Sequence, residues 1–214
     1  MGKTIKFKDK YPSATNFFSE WAERGKDEGM EKGHADSVTF MFKQLKSKFK
    51  NSFSALDVGC GNGWVVRKFN KVEMCKEAMG VDGAEKMIKK AEEIDLSNQY
   101  FCADIMQWTP PQKFNIIHSM EVLYYIENPS ALLNSIYLEW LDKTGCFIFG
   151  IDHYIENPSS INWPVECGVN MNTQPINYWL NIMKDAGFKN IQYWQTGIKK
   201  EWMGTLVIFG EKCD

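Results

Sequence analysis

Short apolar runs alternate with amphipathic segments along most of the 214-residue chain. Apolar runs of about four to eight residues indicate buried strands, whereas apolar positions three and four residues apart indicate helices. Strands are predicted at residues 53–58, 77–82, 99–104, 114–120, 146–152, 189–196 and 202–210. Helices are predicted at residues 14–24, 34–49, 64–69, 129–142 and 177–186. This alternation is typical of an α/β protein with a mostly parallel sheet.

The first 50 residues precede the first predicted strand, and we expect them to belong to the same domain as the rest. Residues 1–12 are rich in lysine and end at Pro12, so we expect a mobile arm. The two predicted helices that follow are separated by the glycine-punctuated stretch 25–33. Residues 51–214 carry all the predicted strands, and this length suits one hydrophobic core. We therefore predict a single domain.

The first predicted strand ends at three glycines on alternate positions, Gly59, Gly61 and Gly63. Glycine allows a sharp turn and lets a ligand approach the backbone closely. The helical segment after the loop offers free N–H groups in its first turn, and these suit a polar ligand. A dinucleotide-binding fingerprint would need its third glycine at position 64, where Trp64 stands. The loop therefore indicates a nucleotide-type cofactor, and its spacing disfavours a dinucleotide.

Acidic residues stand at the ends of the first three predicted strands. Asp57 lies two residues before the first glycine, Asp82 ends the second strand and Asp104 ends the third. A carboxylate at the end of the second strand can hold both hydroxyls of a ribose. The carboxyl ends of parallel strands meet at one edge of the sheet, which is where open α/β sheets bind ligands. We therefore predict one acidic cofactor site at this edge.

The motif Asp57-Val-Gly-Cys-Gly-Asn-Gly63, together with Asp82 and Asp104, resembles the motifs of class I S-adenosylmethionine-dependent methyltransferases. The resemblance covers residues 53–212. It implies a Rossmann-like, doubly wound sheet of seven strands, mostly parallel with an antiparallel last strand, and a helical N-terminal lid. It also implies S-adenosylmethionine as the cofactor and S-adenosylhomocysteine as its product.

The family assigns roles to several positions of this sequence. Its first acid and its glycines lie along the amino-acid end of the cofactor, and its third acid serves the adenine amino group. The cofactor-binding residues that the resemblance implies are Asp57, Gly59, Cys60, Gly61, Asn62, Gly63, Asp82, Gly83, Met87, Asp104, Ile105, Met120 and Trp21. Two positions depart from the usual pattern. Asn115 stands where an acid is usual, and Tyr125 stands where many members have a histidine that faces the methyl acceptor.

Methyl transfer from a sulfonium is an in-line displacement in which the enzyme positions the acceptor and removes water, so we expect no metal. An amine acceptor must also lose a proton to a base of suitable pKa. Asp152 and His153 directly follow the fifth predicted strand and are the first candidates for substrate contact, with His34 as a third candidate. Glu121 and Tyr125 are expected to orient the acceptor. His34 could equally open an exposed helix, and the pair at 152–153 could cap a surface loop.

Aromatic residues near the expected mouth of the site would suit a cationic acceptor through cation–π attraction. They are Trp21, Tyr125, Tyr154 and Trp163. These rings favour an amine, although a flat aromatic or a thiol acceptor would suit them as well. The long segment 152–175 is expected to be a functional loop. His118, inside the fourth predicted strand, is expected to be a core histidine with satisfied hydrogen bonds.

Composition narrows the range of partners and compartments. The 25 basic and 27 acidic residues give a net charge of −2, so no strong field favours nucleic acid or an anionic membrane. The lysines between positions 43 and 50 are expected to form a solvated helix face. No apolar run approaches membrane-spanning length. The six cysteines form no C-x-x-C pair and follow no secretory leader, so we expect reduced thiols in the cytoplasm. We expect the protein to be a monomer or a homodimer.

We therefore predict methyl transfer to a small-molecule acceptor, with an amine favoured and an oxygen or sulfur acceptor possible. A protein- or RNA-directed methyltransferase is an alternative, although the Asn-Pro-Pro-aromatic motif of two such subtypes is absent from Ser119-Met-Glu-Val122. A non-catalytic module that has the cofactor-binding fold, binds a partner and has lost turnover is another alternative. A nicotinamide-dependent oxidoreductase is disfavoured by Trp64 and Asp104.

Overall fold

The computed structural model describes residue 11 and residues 13–213. The arm expected at residues 1–12 therefore lies outside the described residues, except for Tyr11. The strands are β1 (Phe53–Val58), β2 (Cys75–Asp82), β3 (Gln99–Cys102), β4 (Phe114–Met120), β5 (Leu141–Ile151), β6 (Lys189–Thr196) and β7 (Thr205–Glu211). The α-helices are α1 (Ala14–Glu23), α2 (Asp27–Gln44), α3 (Trp64–Asn70), α4 (Glu85–Ile94), α5 (Pro129–Ser135), α6 (Trp163–Cys167) and α7 (Ile176–Asp185).

The described strands form one seven-stranded sheet in the order β3-β2-β1-β4-β5-β7-β6. Neighbouring strands from β3 to β5 pair in parallel, whereas β7 pairs antiparallel with both β5 and β6. The strand order reverses beside β1, so the carboxyl ends of β1 and β4 border the crevice where such sheets bind ligands. The sheet confirms the predicted doubly wound α/β fold with an antiparallel last strand.

The central strands are buried on both faces, because their alternate side chains point to opposite sides of the sheet and each side is covered by helices. In β1, Leu56 and Val58 join one hydrophobic core, whereas Phe53 and Ala55 join the other. The first core is completed by apolar residues of α5 and α7, and the second by those of α2, α3 and α4. Each Å² of apolar surface that folding removes from water stabilises the folded state by about 25 cal/mol. This burial explains why the central strands read as apolar runs in the sequence.

The predicted break over residues 25–33 is wrong, because α2 begins at Asp27 and contains Gly29 and Gly33. Only the short connection before α2 is non-helical, and there Gly25 has a φ of 66°. Glycine inside a helix costs about 1 kcal/mol relative to alanine, and tertiary contacts can offset this amount. Glycine content alone therefore misplaces the start of this helix.

The transition from α5 to β5 also differs from the prediction of a helix over residues 129–142. Helix α5 ends at Ser135, a π-helical turn spans Ile136–Trp140, and β5 begins directly at Leu141. The strand was predicted from residue 146 because residues 142–144 are exposed and polar. Their side chains break the apolar run that marks the buried part of the strand.

Helix α4 and the short helix α6 were not predicted. Helix α4 is strongly charged and buries only Met87, Ile88 and Ala91, so its apolar stripe is narrow. Helix α6 lies inside the segment 152–175, which was expected to be a loop. No helix in the described part of the chain is long and apolar enough to cross a membrane.

Helices α1 and α2 cover the carboxyl edge of the sheet as a lid. Helix α1 packs on α4, and the start of α2 is fixed by the buried carboxylate of Asp27. Asp27 accepts hydrogen bonds from Asn62 Nδ2 at 2.9 Å and from Lys90 Nζ at 2.7 Å. A second ion pair joins Glu23 of α1 to Lys86 of α4. These contacts hold the lid against both the glycine loop and α4.

Candidate active site

A cavity of about 580 Å³, the main cavity, opens at the carboxyl edge of the sheet beneath the lid. A second space of about 40 Å³, the smaller lobe, lies beside the main cavity. Gly59, Gly61 and Glu121 line both spaces. The predicted site residues on the wall of the main cavity are Gly59, Gly61, Asp82, Gly83, Met87, Asp104, Ile105, Met120, Glu121 and Tyr125. The smaller lobe adds His34, Asp57, Cys60 and Asn62.

The three loop glycines all have positive φ, at 72° for Gly59, 53° for Gly61 and 78° for Gly63. This backbone conformation favours glycine. A Cβ on Gly59 would also lie 2.1 Å from the Val122 side chain. At Gly61 the nearest atom to such a Cβ would be 4.0 Å away, on Met87, so the backbone there borders open space. The loop can therefore bring its peptide groups close to a ligand in the main cavity.

Asp82 links this loop to the end of β2. Its carboxylate accepts hydrogen bonds from the N–H of Gly61 at 2.9 Å and from the N–H of Ala84 at 2.8 Å. Burial raises the pKa of Asp82, and these N–H groups oppose the rise. The carboxylate is fixed in place on the cavity wall, where its remaining lone pairs can accept from ligand hydroxyl groups.

Asp104 follows β3, lines the main cavity and is exposed. Its carboxylate accepts hydrogen bonds from the N–H of Met106 at 2.9 Å and from the Gln107 side chain at 2.7 Å. The strand ends two residues earlier than predicted, at Cys102, but the carboxylate still reaches the wall of the main cavity.

Asp57 lies at the end of β1 on the wall of the smaller lobe. Its Oδ1 is 2.7 Å from Nδ1 of His118, which faces it from β4. Burial raises the pKa of Asp57, whereas His118 lowers it. The other ring nitrogen of His118, Nε2, is buried and has no hydrogen-bond partner among the described residues. His118 is therefore a core histidine, as predicted, but only one of its two nitrogens is satisfied.

Glu121 follows β4 with a φ of 62°, which is rare for a residue other than glycine. Its carboxylate accepts hydrogen bonds from the N–H of Asp152 and from the Tyr124 hydroxyl, each at 2.6 Å. Burial and the nearby Asp152 carboxylate raise the pKa of Glu121 well above its usual range. A strained backbone at a cavity wall, held by such bonds, is typical of a functional position.

His34 of the lid faces Asp152 at the end of β5, with 3.6 Å between Nδ1 and Oδ2. Oδ1 of Asp152 is buried and has no hydrogen-bond partner in the described part of the chain. Burial raises the pKa of Asp152, and the Thr205 hydroxyl and His34 oppose this rise. Burial also lowers the pKa of His34, which the charge of Asp152 opposes. The imidazole is therefore neutral near pH 7 and can accept a proton.

The side chains of His34, Glu121 and Asp152 come together although they are far apart in sequence. They offer one ligand atom each within 4.8 Å of one another, so the cluster could hold a cation. The two carboxyl groups have no lysine or arginine beside them among the described residues, so a bound positive charge would lower their raised pKa values and stabilise their ionised forms. Either a protonated amine group or a metal ion could supply this positive charge, and the sequence predicts no metal.

Four predicted residues do not line either space. Asp152 is one of them, although its neighbours His34 and Glu121 do line the smaller lobe. His153 is fully buried, and its nitrogens lie 2.9 Å from the carbonyl oxygen of Ser160 and 2.7 Å from the Thr173 hydroxyl. Trp21 lies on a neighbouring surface cleft with Lys26 over its ring. Gly63 is the last glycine of the loop, and a Cβ there would meet the Tyr100 ring.

Other residues on the cavity wall were not predicted as site residues. They are Ser13, Ala14, Thr15, Phe18, Ala103, Met106, Val122, Ile126 and Glu127. The first four come from the start of α1, where Thr15 lies so close to Gly83 that a Cβ there would be 2.5 Å from Thr15 Cγ2. Ser13 is the N-cap of α1 and accepts a hydrogen bond from the N–H of Asn16, a signal that locates the helix start but not the cavity.

Comparison with known proteins places the chain in a family. Residues 8–193 match the family described as a methyltransferase domain. The chain is 25% identical over 126 residues to the ubiquinone biosynthesis O-methyltransferase of Bradyrhizobium sp. (strain ORS 278), covering 53% of this chain and 49% of that protein. This chain spans about half the length of the curated relatives it matches.

Two solved structures share the fold. One is a complex between the Haloferax volcanii Trm112 methyltransferase activator and a methyltransferase, with a TM-score of 0.78, 21% identity and coverage of 92% of this chain and 98% of that one. The other is the N-methyltransferase NodS from Bradyrhizobium japonicum WM9 in complex with S-adenosylhomocysteine. Its TM-score is 0.63, its identity 17%, and the match covers 85% of this chain and 87% of that one.

The sheet order, the glycine loop and the acids at the strand ends define a Rossmann-like domain that binds S-adenosylmethionine. The chain belongs to the methyltransferase-domain family, and its cofactor is S-adenosylmethionine. The residues present fit this cofactor because the backbone at Gly61 borders the cavity and fixed carboxylates stand at the ends of β1 and β2. The family, the fold and the cofactor predicted from the sequence are thereby confirmed.

Proposed function

We propose that this protein transfers the methyl group of S-adenosylmethionine to a small-molecule amine. One observation carries the choice of an amine: the described residues that line the main cavity and the smaller lobe include acids but no lysine or arginine. The acids are Asp27, Asp57, Asp82, Asp104, Glu121 and Glu127. Such a wall repels an anionic acceptor and concentrates a cationic one.

The cofactor residues proposed from the sequence follow the order of the strands. Asp82 accepts from the ribose hydroxyls, the glycine loop and Asp57 face the methionine end, and Asp104 serves the adenine amino group. Met87 is buried beside the loop and packs against the adenine. Support for this arrangement comes from the wall of the main cavity, which holds Asp82, Met87 and Asp104 together.

When bound, the cofactor supplies an electrophilic methyl group on a sulfonium. The chain has to strip the acceptor of its proton, and we assign this step to His34, held by Asp152. The 3.6 Å between His34 Nδ1 and Asp152 Oδ2 is long for a hydrogen bond, and catalytic hydrogen bonds commonly tighten when substrate binds. Glu121 and Tyr125 orient the acceptor from the cavity wall. Burial raises the pKa of Tyr125, so its hydroxyl stays protonated and serves as a hydrogen-bond donor.

The test is a matched set of acceptors that share one carbon skeleton and carry an amine, an alcohol, a thiol or a carboxylate. The formation of S-adenosylhomocysteine is measured with each acceptor at the same concentration. We expect turnover with the amine and none with the carboxylate. Turnover that is fastest with the alcohol or thiol would overturn the choice of an amine while leaving methyl transfer in place.

A methyltransferase that acts on protein or RNA is the second candidate. It is favoured by the likeness to a chain that forms a complex with the Trm112 activator, although at 21% identity this likeness shows the fold alone. If no small molecule is methylated and a fraction of cellular protein or RNA is, this candidate replaces the first. A cofactor-binding module without turnover would bind S-adenosylhomocysteine and methylate neither.

We further propose that residues 1–50 form the arm and lid of the same domain as residues 51–214. The packing of α1 on α4 and the bonds of Asp27 support this division. We also propose that the protein works in the cytoplasm as a monomer or homodimer. All six cysteines are free thiols, which suits a reducing compartment.

A further inference from the structure

We infer that His118 is a positioning residue for the cofactor: through its bond to Asp57 it fixes the carboxylate that receives the ammonium group of the methionine part. This inference rests on the proposed function, because it takes the placement of the methionine end from it. His118 does not line the main cavity or the smaller lobe. It therefore acts through Asp57 and not on the ligand.

The pairing is built into the sheet. Asp57 and His118 stand opposite each other on β1 and β4, and both side chains are buried, with 3% and 0% of their surface exposed. Their atoms Oδ1 and Nδ1 are 2.7 Å apart. In the described part of the chain, His118 is the only side chain that pairs with the Asp57 carboxylate. The orientation of that carboxylate is thus set by a single bond.

The surroundings of the imidazole determine which of its nitrogens can donate. Nε2 has no hydrogen-bond partner among the described residues, and the rings of Phe42 and Phe69 lie 6.4 and 6.0 Å from the ring of His118. An N–H bond on Nε2 would have no acceptor against this apolar surface, which is unfavourable. A hydrogen on Nδ1, by contrast, is donated to the Asp57 carboxylate.

No lysine or arginine pairs with Asp57 among the described residues. The titratable groups that face Asp57 are His118 from β4, Asp82 from β2 and the Cys60 thiol from the glycine loop. The nearby cations have other partners: Lys90 pairs with Asp27, and Arg67 donates to the carbonyl oxygen of Asn62 at 2.6 Å. The α-ammonium group of S-adenosylmethionine gives Asp57 the cationic partner that these residues do not provide.

The experiment compares two ligands that differ only at the methionine end. S-adenosylhomocysteine carries the amino-acid part, and 5′-deoxy-5′-methylthioadenosine lacks it. The dissociation constants of both are measured by titration calorimetry for the wild type, His118→Leu, His118→Gln and His118→Asn. The amide nitrogen of Asn stands near the position of Nδ1 and can still donate to Asp57, whereas that of Gln stands near Nε2 and cannot.

For His118→Leu and His118→Gln we expect S-adenosylhomocysteine to bind about 10- to 100-fold more weakly, the effect of losing a hydrogen bond to a charged group. Binding of 5′-deoxy-5′-methylthioadenosine should change by less than about threefold. His118→Asn should recover most of the loss. In an Asp57→Asn background, His118→Leu should add little, because the two side chains act as a unit.

Equal weakening of both ligands, or no recovery with His118→Asn, would show that His118 only supports the fold and would overturn the inference. If His118→Leu fails to fold, the pair of His118→Gln and His118→Asn gives the same comparison, with thermal unfolding as a check on each. A wild type that binds neither ligand would instead refute the proposed cofactor site, so the two failures are distinguishable.

Discussion

His34 lies on the lid helix, and the two carboxylates behind it govern the range of pH in which it can accept a proton. Burial lowers the pKa of His34 below its usual value of 6.5, and the charge of Asp152 opposes this shift. Glu121 lies beside Asp152, and burial raises the pKa of both carboxylates. The imidazole is thus in its basic form at pH 7 and becomes protonated only as the pH falls below 6.5. The active form is lost in acid and retained at higher pH.

The substitution His34→Gln is expected to lower kcat with an amine acceptor by about 10²- to 10⁴-fold, the usual contribution of a general base. It should also remove the acid limb of the kcat–pH profile, which in the wild type falls below pH 6.5. The measurement is the initial rate of S-adenosylhomocysteine formation between pH 5 and 9. The affinity for S-adenosylhomocysteine should change by less than about threefold.

Asp36→Asn is the matched control, because Asp36 is an exposed charged residue on the same helix. Its kcat and its pH profile should equal those of the wild type. A His34→Gln enzyme that keeps the acid limb, or that retains kcat within about twofold, would assign the base to another residue. Loss of cofactor affinity in proportion to the loss of kcat would assign His34 to cofactor binding.

Individual site residues differ in how far the sequence could locate them. Asp57 and Asp82 lie at the ends of buried strands, and the sheet brings such ends together. A local sequence pattern is therefore sufficient to locate these two residues at the cavity. Asp152 and His153 form a harder case, since neighbouring residues at a strand end point in opposite directions. The structure directs Asp152 toward His34 and buries His153 between Ser160 and Thr173. No pattern in the sequence separates these two outcomes.

Burial made the central strands predictable, although the exposed edge strand β6 was predicted as well. The bounds of β1, β4 and β6 match the predicted ones, and β1 and β4 are central strands whose side chains enter both cores. In the lid, α1 was predicted to within one residue, whereas α2 was predicted less well because it exposes much of its surface and carries glycines. The start of α2 depends on the bonds from Asn62 and Lys90 to Asp27, which are tertiary contacts that periodicity does not reveal.

The glycines of the lid provide a test of where α2 begins. Gly29 lies inside α2, and a Cβ there would meet no atom within 4 Å. Gly29→Ala is therefore expected to raise the free energy of unfolding by about 0.5–1 kcal/mol. For a chain of this length this corresponds to an increase of about 1–4 °C in Tm. Thermal unfolding followed by circular dichroism measures the change.

Gly25→Ala is the contrasting variant, since Gly25 has a φ of 66° in the connection between α1 and α2. Alanine in the left-handed region costs about 1–2 kcal/mol, so this variant should unfold at a lower temperature. If residues 25–33 formed the break that glycine content suggests, Gly29→Ala would give no gain in stability. A lower Tm for Gly29→Ala would contradict the helix over this segment.

At the scale of the whole molecule, the sheet and the lid together determine which ligand is stabilising. The sheet supplies the fixed carboxylates of Asp57 and Asp82, and the lid closes over them through the start of α1 and the Asp27 bonds. A ligand that fills this space contacts both parts, because residues of the lid and of the strand ends line the same cavity. Binding should therefore stabilise the lid and the sheet as one cooperative unit.

This coupling leads to a prediction for thermal unfolding in the presence of S-adenosylmethionine, S-adenosylhomocysteine or NAD. At 100 times its dissociation constant, a ligand specific for the folded state adds about 2.7 kcal/mol of stability. For a chain of this length this should raise Tm by roughly 5–10 °C with either sulfur compound. NAD should give no rise, because Trp64 occupies the position of the third glycine of a dinucleotide loop. A rise with NAD alone would mean that the cavity holds a dinucleotide, and the roles assigned to Asp57, Asp82 and Asp104 would then fail together.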